Sequence, residues 1–197
     1  QLMNLGTSIV LAGSKKKAKI HIHTNEPQAI FTLCSEYGSI SGEKADDMLK
    51  QQNTIHGSNE EIAIVVDSGC DLPDEIIEKY NIHMVPLRFN FGNEHHVDKV
   101  TITSDEFWSE LQTNPNHPQT SQPSPGDFQR QYQFLTGHYK NAISIHLPAA
   151  VSGTLQSAEL ASRKNEKLPI DLIDSRNGSI GIGLIAISAA EAIKEGS

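Results

Sequence analysis

Apolar and polar positions follow two different rhythms along the chain. Leu5–Ala12 and Ala18–His23 are short runs with strand character, separated by Lys15-Lys16-Lys17, which reads as a hairpin turn. In "AKIHIHTNEP" apolar and polar residues alternate at period two, the mark of a half-buried strand. Pro27 then suits the first turn of a helix, and Ala29, Ile30, Leu33 and Cys34 recur at helical spacing until Gly38 ends the pattern. Residues Gly42–Ile55 are polar and compatible with a helix. Gly57-Ser58-Asn59 is the best linker candidate.

After the linker the pattern changes. Ile62–Ser68, "IAIVVDS", is a continuous β-branched run, as expected of a strand covered on both faces. "DLPDEIIEKY" predicts a helix, with Asp71 as a plausible cap. His83–Phe91 reads as one strand, and His95–Asp98 as its partner across Gly92-Asn93. The next helix opens with Ser104 as N-cap and runs to Gln112, followed by a loop over Thr113–Pro118. A helix from Pro125 to Leu135, the strand "AISIHLP", a helix Leu155–Lys164, a strand Ile170–Asp174 and a buried helix Ser179–Lys194 complete the series. Strands alternating with helices predict an α/β fold, a mostly parallel sheet flanked by helices, preceded by a small α+β segment. The expected division is residues 1–56, a linker at 57–60, and 61–197.

Composition narrows the function. Lys plus Arg number 16 and Asp plus Glu 24, giving a net charge of −8, which argues against a nucleic-acid partner. Two cysteines, Cys34 and Cys70, make no disulfide framework and fit a cytoplasmic protein. No apolar run reaches the length of a membrane span. The opening at Gln1 and the end at Ser197 suggest a fragment cut from a longer protein.

In open parallel sheets, ligands bind beyond the carboxyl ends of the strands. The loops expected there are "DSGCD", containing Asp67 and Ser68, "HLPAAVSGT", containing Ser152, Gly153 and Thr154, and "DSRNGS". "TSQPSP", with Thr120 and Ser121, precedes a helix in the same way. Hydroxyls beside helix starts can form an anion site without lysine or arginine, because the free backbone N–H groups carry partial positive charge. Simple helix capping is the competing reading of each hydroxyl. An Asp such as Asp67 at the end of a buried strand caps the next helix or receives loop N–H bonds; as catalytic groups Asp67 and Asp71 would need a base or a metal partner, and none is evident. His21 and His23 are two apart on a strand and face the same way. They could hold zinc with a further ligand, or merely form a polar face.

From Glu61 onward the chain resembles the DegV family of bacterial fatty-acid-binding proteins. The resemblance rests on "IVVDSGCDLP", "IHMVPLRF", "DKVTITSDEFWSEL", "TSQPSPGDF", "AISIHLPAAVSGTLQSAELA" and "IDLIDSRNGSIGIG", in that order. It covers the amino-terminal half of such a protein. The resemblance implies that Thr120 and Ser152 bind the carboxylate of a long-chain fatty acid, with Ser121, Gly153 and Thr154 as the wall of the site. It also implies a non-catalytic carrier that presents the acid to a kinase making an acyl phosphate from ATP. The first 55 or so residues resemble the end of the middle domain of the partner fatty acid kinase, which is related to dihydroxyacetone kinases. That resemblance implies zinc at His21 and His23, with the third ligand outside the chain. It also implies an ATP-dependent kinase domain as partner, in cis or in trans, and a homodimer through the middle domain. The alternative is a structural, dimerising fragment of a multidomain kinase that binds no ligand by itself.

Overall fold

The computed structural model describes residues 2–13, 18–40 and 61–196. The lysine turn at 15–17, the helix-compatible stretch Gly42–Ile55 and the linker at 57–60 lie outside the described residues. By internal contacts the described residues form two compact units. One gathers residues up to 40 with 90–118, and the other gathers 61–89 with 119–196.

In the first unit, β1 (Thr7–Gly13) and β2 (Ala18–His23) pair antiparallel, with a register shift between Thr7 and Val10. Helix α1 (Pro27–Ser35) follows, with Pro27 at its start and Ile30 buried. The same unit holds β6 (Glu94–Val97) and α3 (Ser104–Thr113). The N-cap of α3 is Thr103, not the expected Ser104. The Thr103 hydroxyl accepts from Glu106 N, and the Glu106 carboxylate accepts from Thr103 N at 2.7 Å, a capping box.

The second unit is built on a four-stranded parallel sheet. It comprises β3 (Ile62–Asp67), β4 (Ile82–Val85), β8 (Asn141–His146) and β9 (Ile170–Asp174), in the order β4-β3-β8-β9. The apolar run of β3 is explained by its two covered faces. Ala63 and Val65 pack into one cluster with Phe128, Tyr132 and Leu135 of α4 (Pro125–Thr136) and Ala158 and Ala161 of α5 (Thr154–Ser162). Ile64 and Val66 pack into another with Ile76 and Ile77 of α2 (Asp74–Lys79) and Ile182, Ala186 and Ala190 of α6 (Ile180–Lys194). The helical residues recur every three or four positions and the strand residues alternate, so each period matches its element. Burying a side chain such as Val65 stabilises the fold by about 1.5–3 kcal/mol. Helix α6 sits close to the chain below it: a Cβ on Gly183 would stand 2.6 Å from Leu72 Cδ2, so a larger residue would push the helix away. Its outer positions Ile180 and Leu184 are exposed, so the helix is buried on one side only, against expectation.

Three local expectations are corrected. The predicted strand His83–Phe91 breaks at Pro86-Leu87 into β4 and β5 (Arg88–Phe91), which belong to different sheets. Pro118, the end of the expected loop, instead opens a strand, β7 (Pro118–Ser121), that includes Thr120 and Ser121 of the "TSQP" motif. Asp71 does not cap α2. Pro73 occupies that position without a side-chain bond, and Asp71 adopts a left-handed φ of 49° after a short 3₁₀ turn.

Candidate functional site

The chain leaves β3 to one side, toward β4, and returns on the other side as β8. The two strands at this reversal of direction end at Asp67 and His146. Crevices at such points are where open α/β sheets place ligands. Here the ends of the two strands carry a buried polar chain. Asp67 Oδ1 accepts from Gly69 N at 3.1 Å, and Oδ2 accepts from Leu147 N at 2.9 Å and from His146 Nδ1 at 3.1 Å. His146 Nε2 lies 2.7 Å from Ser144 Oγ, which lies 2.9 Å from the Tyr132 hydroxyl. All four side chains are fully buried. A carboxylate accepts, so the His146 Nδ1–H donates to Asp67, and the chain continues from Nε2 through the Ser144 hydroxyl to the Tyr132 hydroxyl. Burial pushes the Tyr132 phenol's ionisation above its ordinary value, against a smaller opposing effect of the Ser144 bond, and so keeps it a donor. The Phe128 ring stands edge-on to His146 at 4.9 Å.

This settles the geometry of the Asp67 loop. Asp67 ties the loop after β3 to the loop after β8, and Ser68 Oγ accepts from Leu87 N at 2.9 Å. Neither side chain reaches solvent. Asp67, His146 and Ser144 have the residue types of a nucleophilic relay. Ser144 is nonetheless sealed between His146 and Tyr132, so it cannot meet a substrate.

The hydroxyl loops are different. Thr120 and Ser121 are exposed at the end of β7, and Val151 leads into Ser152 at the start of α5. Ser152 Oγ lies 2.9 Å from Thr154 Oγ1 and accepts from Thr154 N at 3.3 Å; Thr154 itself is fully buried. The two loops touch. A Cβ built on Gly153 would lie 2.7 Å from Gln122 Cδ, so the residue following Ser121 rests directly on Gly153. Helix α4 starts beside them with Ser124 as N-cap. Its hydroxyl accepts from Asp127 N, and Asp127 Oδ2 accepts from Ser124 N at 2.8 Å.

Two guanidinium groups also stand here, which sequence reasoning missed. Arg88 grips Asp127 with two bonds of 2.6 and 3.0 Å, and Arg130 donates to it at 2.9 Å. Burial opposes ionisation of Asp127. The Arg88 bonds, the Ser124 bonds and the Arg88 charge outweigh it and hold the carboxyl well below the usual range. The cations are thereby committed to Asp127, while Thr120 and Ser121 are exposed.

His21 and His23 are exposed on β2, their rings 5.2 Å apart in a T arrangement. Among the described residues no group of three or more His, Cys, Asp or Glu is placed to hold a metal. Two imidazoles alone do not fit a structural zinc site, which needs four ligands. Cys34 on α1 is half-buried, and burial pushes its thiol up, away from the thiolate form a metal would take. An open depression lined by Asn25–Ala29 and Lys99–Thr103 belongs to the first unit and holds none of these residues. No helix among the described residues is long and apolar enough to cross a membrane.

A parallel sheet with helices on both faces, and hydroxyl-bearing loops beyond its carboxyl edge, places the second unit in the α/β class. Its particular identity comes from comparison: residues 61–197 match the DegV family and the chain belongs to it, while residues 1–55 match a middle domain of the fatty acid kinase type. A DegV domain-containing protein of Clostridium perfringens is 43% identical over 138 residues, which are 70% of this chain and 49% of that protein. Among solved structures, the chain is similar to DegV, a fatty acid binding protein from Bacillus subtilis, with a TM-score of 0.67 and 34% identity over 70% of this chain and 49% of that one. It is also similar to a DegV family protein from Thermus thermophilus described for its fatty acid binding, with a TM-score of 0.64 and 33% identity over the same shares. The chain spans about half the length of these relatives.

Proposed function

We propose that this chain binds a long-chain fatty acid through its carboxylate and presents it to an ATP-dependent kinase domain for acyl phosphate formation. Thr120 and Ser152 donate to the carboxylate, with Ser121, Gly153 and Thr154 forming the wall of the site. The observation that carries this reading is the contact of the two hydroxyl loops through Gln122 and Gly153, in a chain of the DegV family. Similarity to solved fatty-acid-binding proteins supports the choice of ligand. The match of residues 1–55 to a fatty acid kinase middle domain supports the choice of partner. The sealing of the Asp67–His146–Ser144 set among the described residues supports a binding role over a catalytic one. A cytoplasmic location and a zinc at His21 and His23, completed by ligands other than those described, belong to the same reading.

Calorimetric titration with oleate tests it. Hydrogen bonds to a charged group contribute about 1.5–3 kcal/mol each. Thr120→Ala and Ser152→Ala are therefore each expected to weaken oleate binding by about 10- to 100-fold. Unchanged affinity in both variants would remove the carboxylate assignment. If the unaltered protein binds no oleate, the reading of a lipid-free structural fragment takes its place.

A further inference from the structure

The carboxylate reading requires something to hold the two hydroxyl loops at a fixed spacing. Gln122 follows Ser121 without a break, and its amide lies against Gly153, one residue after Ser152. Gly153 has φ −78° and ψ 7°, a conformation open to any residue, so glycine is not needed for backbone freedom. A Cβ there would meet the amide end of the exposed Gln122 side chain, 2.7 Å from Cδ and 2.8 Å from Oε1, and that end would have to swing aside.

Both sides of this contact are anchored. Pro123 is buried, and the next residue, Ser124, is locked into the capping box that Asp127 and Arg88 complete. On the other side Thr154 is fully buried and bonded to Ser152. Among the described residues the Gln122 amide makes no hydrogen bond with the protein, so the contact works through shape. We infer that Gln122 is a positioning residue of the head-group site: seated on Gly153, its side chain sets the gap between Thr120-Ser121 and Ser152. This inference rests on the fatty-acid reading above. A carboxylate held from two sides is sensitive to that gap, since displacements near 1 Å in a positioned site change its action severely.

The test is oleate affinity by titration calorimetry, with thermal unfolding of each variant, for Gln122→Ala, Gln122→Met, Gly153→Ala and the double variant Gln122→Ala/Gly153→Ala. Gly153→Ala pushes the Gln122 amide aside and is expected to lose about 3- to 5-fold, as is Gln122→Ala, whereas Gln122→Met keeps the volume and stays within about twofold of the unaltered protein. The double variant loses no more than either single variant, because each removes the same contact. If the two losses multiply in the double variant, the contact does not set the spacing. If Gln122→Met is as weak as Gln122→Ala, the amide acts by polarity and the inference is overturned. The Met and Ala comparison decides the matter even if Gly153→Ala fails to fold. An unaltered protein that binds no oleate removes the fatty-acid reading and this inference together; oleate binding with losses that multiply in the double variant removes only this one.

Discussion

Two sets of polar side chains meet the carboxyl edge of the parallel sheet, and they are built on opposite terms. Tyr132, Ser144, His146 and Asp67 are fully buried, and their hydrogen bonds are spent on one another and on the Gly69 and Leu147 amides. Thr120 and Ser121 are exposed, and among the described residues their hydroxyls are bonded to no protein group. Residue type alone would rank the first set as the chemical centre, since it contains an aspartate, a histidine and a serine in line. Burial reverses that ranking. A polar group whose bonds are all made inside the protein holds the structure together, and only one with unused bonding capacity can recognise a ligand.

The largest expected effect breaks the first set. Asp67→Ala removes the acceptor of two backbone amides and of the fully buried His146 imidazole. Leaving a buried donor unsatisfied costs about 1–3 kcal/mol, and Asp67 is the acceptor of three. Urea unfolding of the variant should show a loss of that size. A loss under about 1 kcal/mol would mean that water or a rearranged loop replaces the carboxylate, and the contrast between the two sets would lose its basis.

A second buried histidine sharpens the comparison by pH. His83 on β4 is buried, with Nε2 3.1 Å from the Tyr139 hydroxyl, which also accepts from Asn81 Nδ2 at 2.8 Å. Burial first, and then the charge of His138, lower its pKa to about 4. The unfolded chain therefore binds a proton that the folded chain refuses between about pH 6.5 and 4. The stability contributed by keeping His83 neutral is present above that window and falls as pH drops through it, by about 3 kcal/mol in all. Urea unfolding at pH 7, 6, 5 and 4.5 should record the decline, and His83→Asn should flatten it. Asp127, whose carboxyl is held low, loses its contribution only as pH falls below the unfolded carboxylate value, and so acts in a separate window. An undiminished decline in His83→Asn would assign the effect to another group.

The architecture is legible where each element declares itself locally. "IAIVVDS" reads as a doubly covered strand because both faces of β3 are covered. The break inside His83–Phe91 is hidden because the apolar pattern runs through Pro86, and only the separate pairing of β4 and β5 reveals two strands. Ser104 and Thr103 are both good capping residues one position apart, and the Glu106 side chain decides between them in favour of Thr103. Of the candidate site, the hydroxyls before α4 and α5 can be found from helix-start chemistry. Ser144 and His146 also carry a local signal: they are two apart on a strand, so they share a face. Tyr132, Arg88 and the seating of Gln122 on Gly153 depend on contacts distant in sequence, which no spacing encodes.

The smallest expected effect on stability belongs to the second set, and it carries the comparison to its end. Thr120→Ala and Ser121→Ala remove exposed hydroxyls that make no protein hydrogen bond among the described residues, so each should shift unfolding by no more than about 0.5 kcal/mol. Ser152→Ala should cost more, about 1 kcal/mol, because its oxygen accepts from Thr154 N and pairs with Thr154 Oγ1. Urea unfolding of the three variants tests this order. Thr120→Ala and Ser152→Ala should nonetheless weaken oleate binding strongly, so affinity and stability part company at Thr120 in a way they cannot at Asp67. A Thr120→Ala variant destabilised by more than about 1 kcal/mol would show that its hydroxyl holds the fold together. The outward-facing donors would then belong with the buried chain, and the separation of framework from binding surface would fail at its most exposed residue.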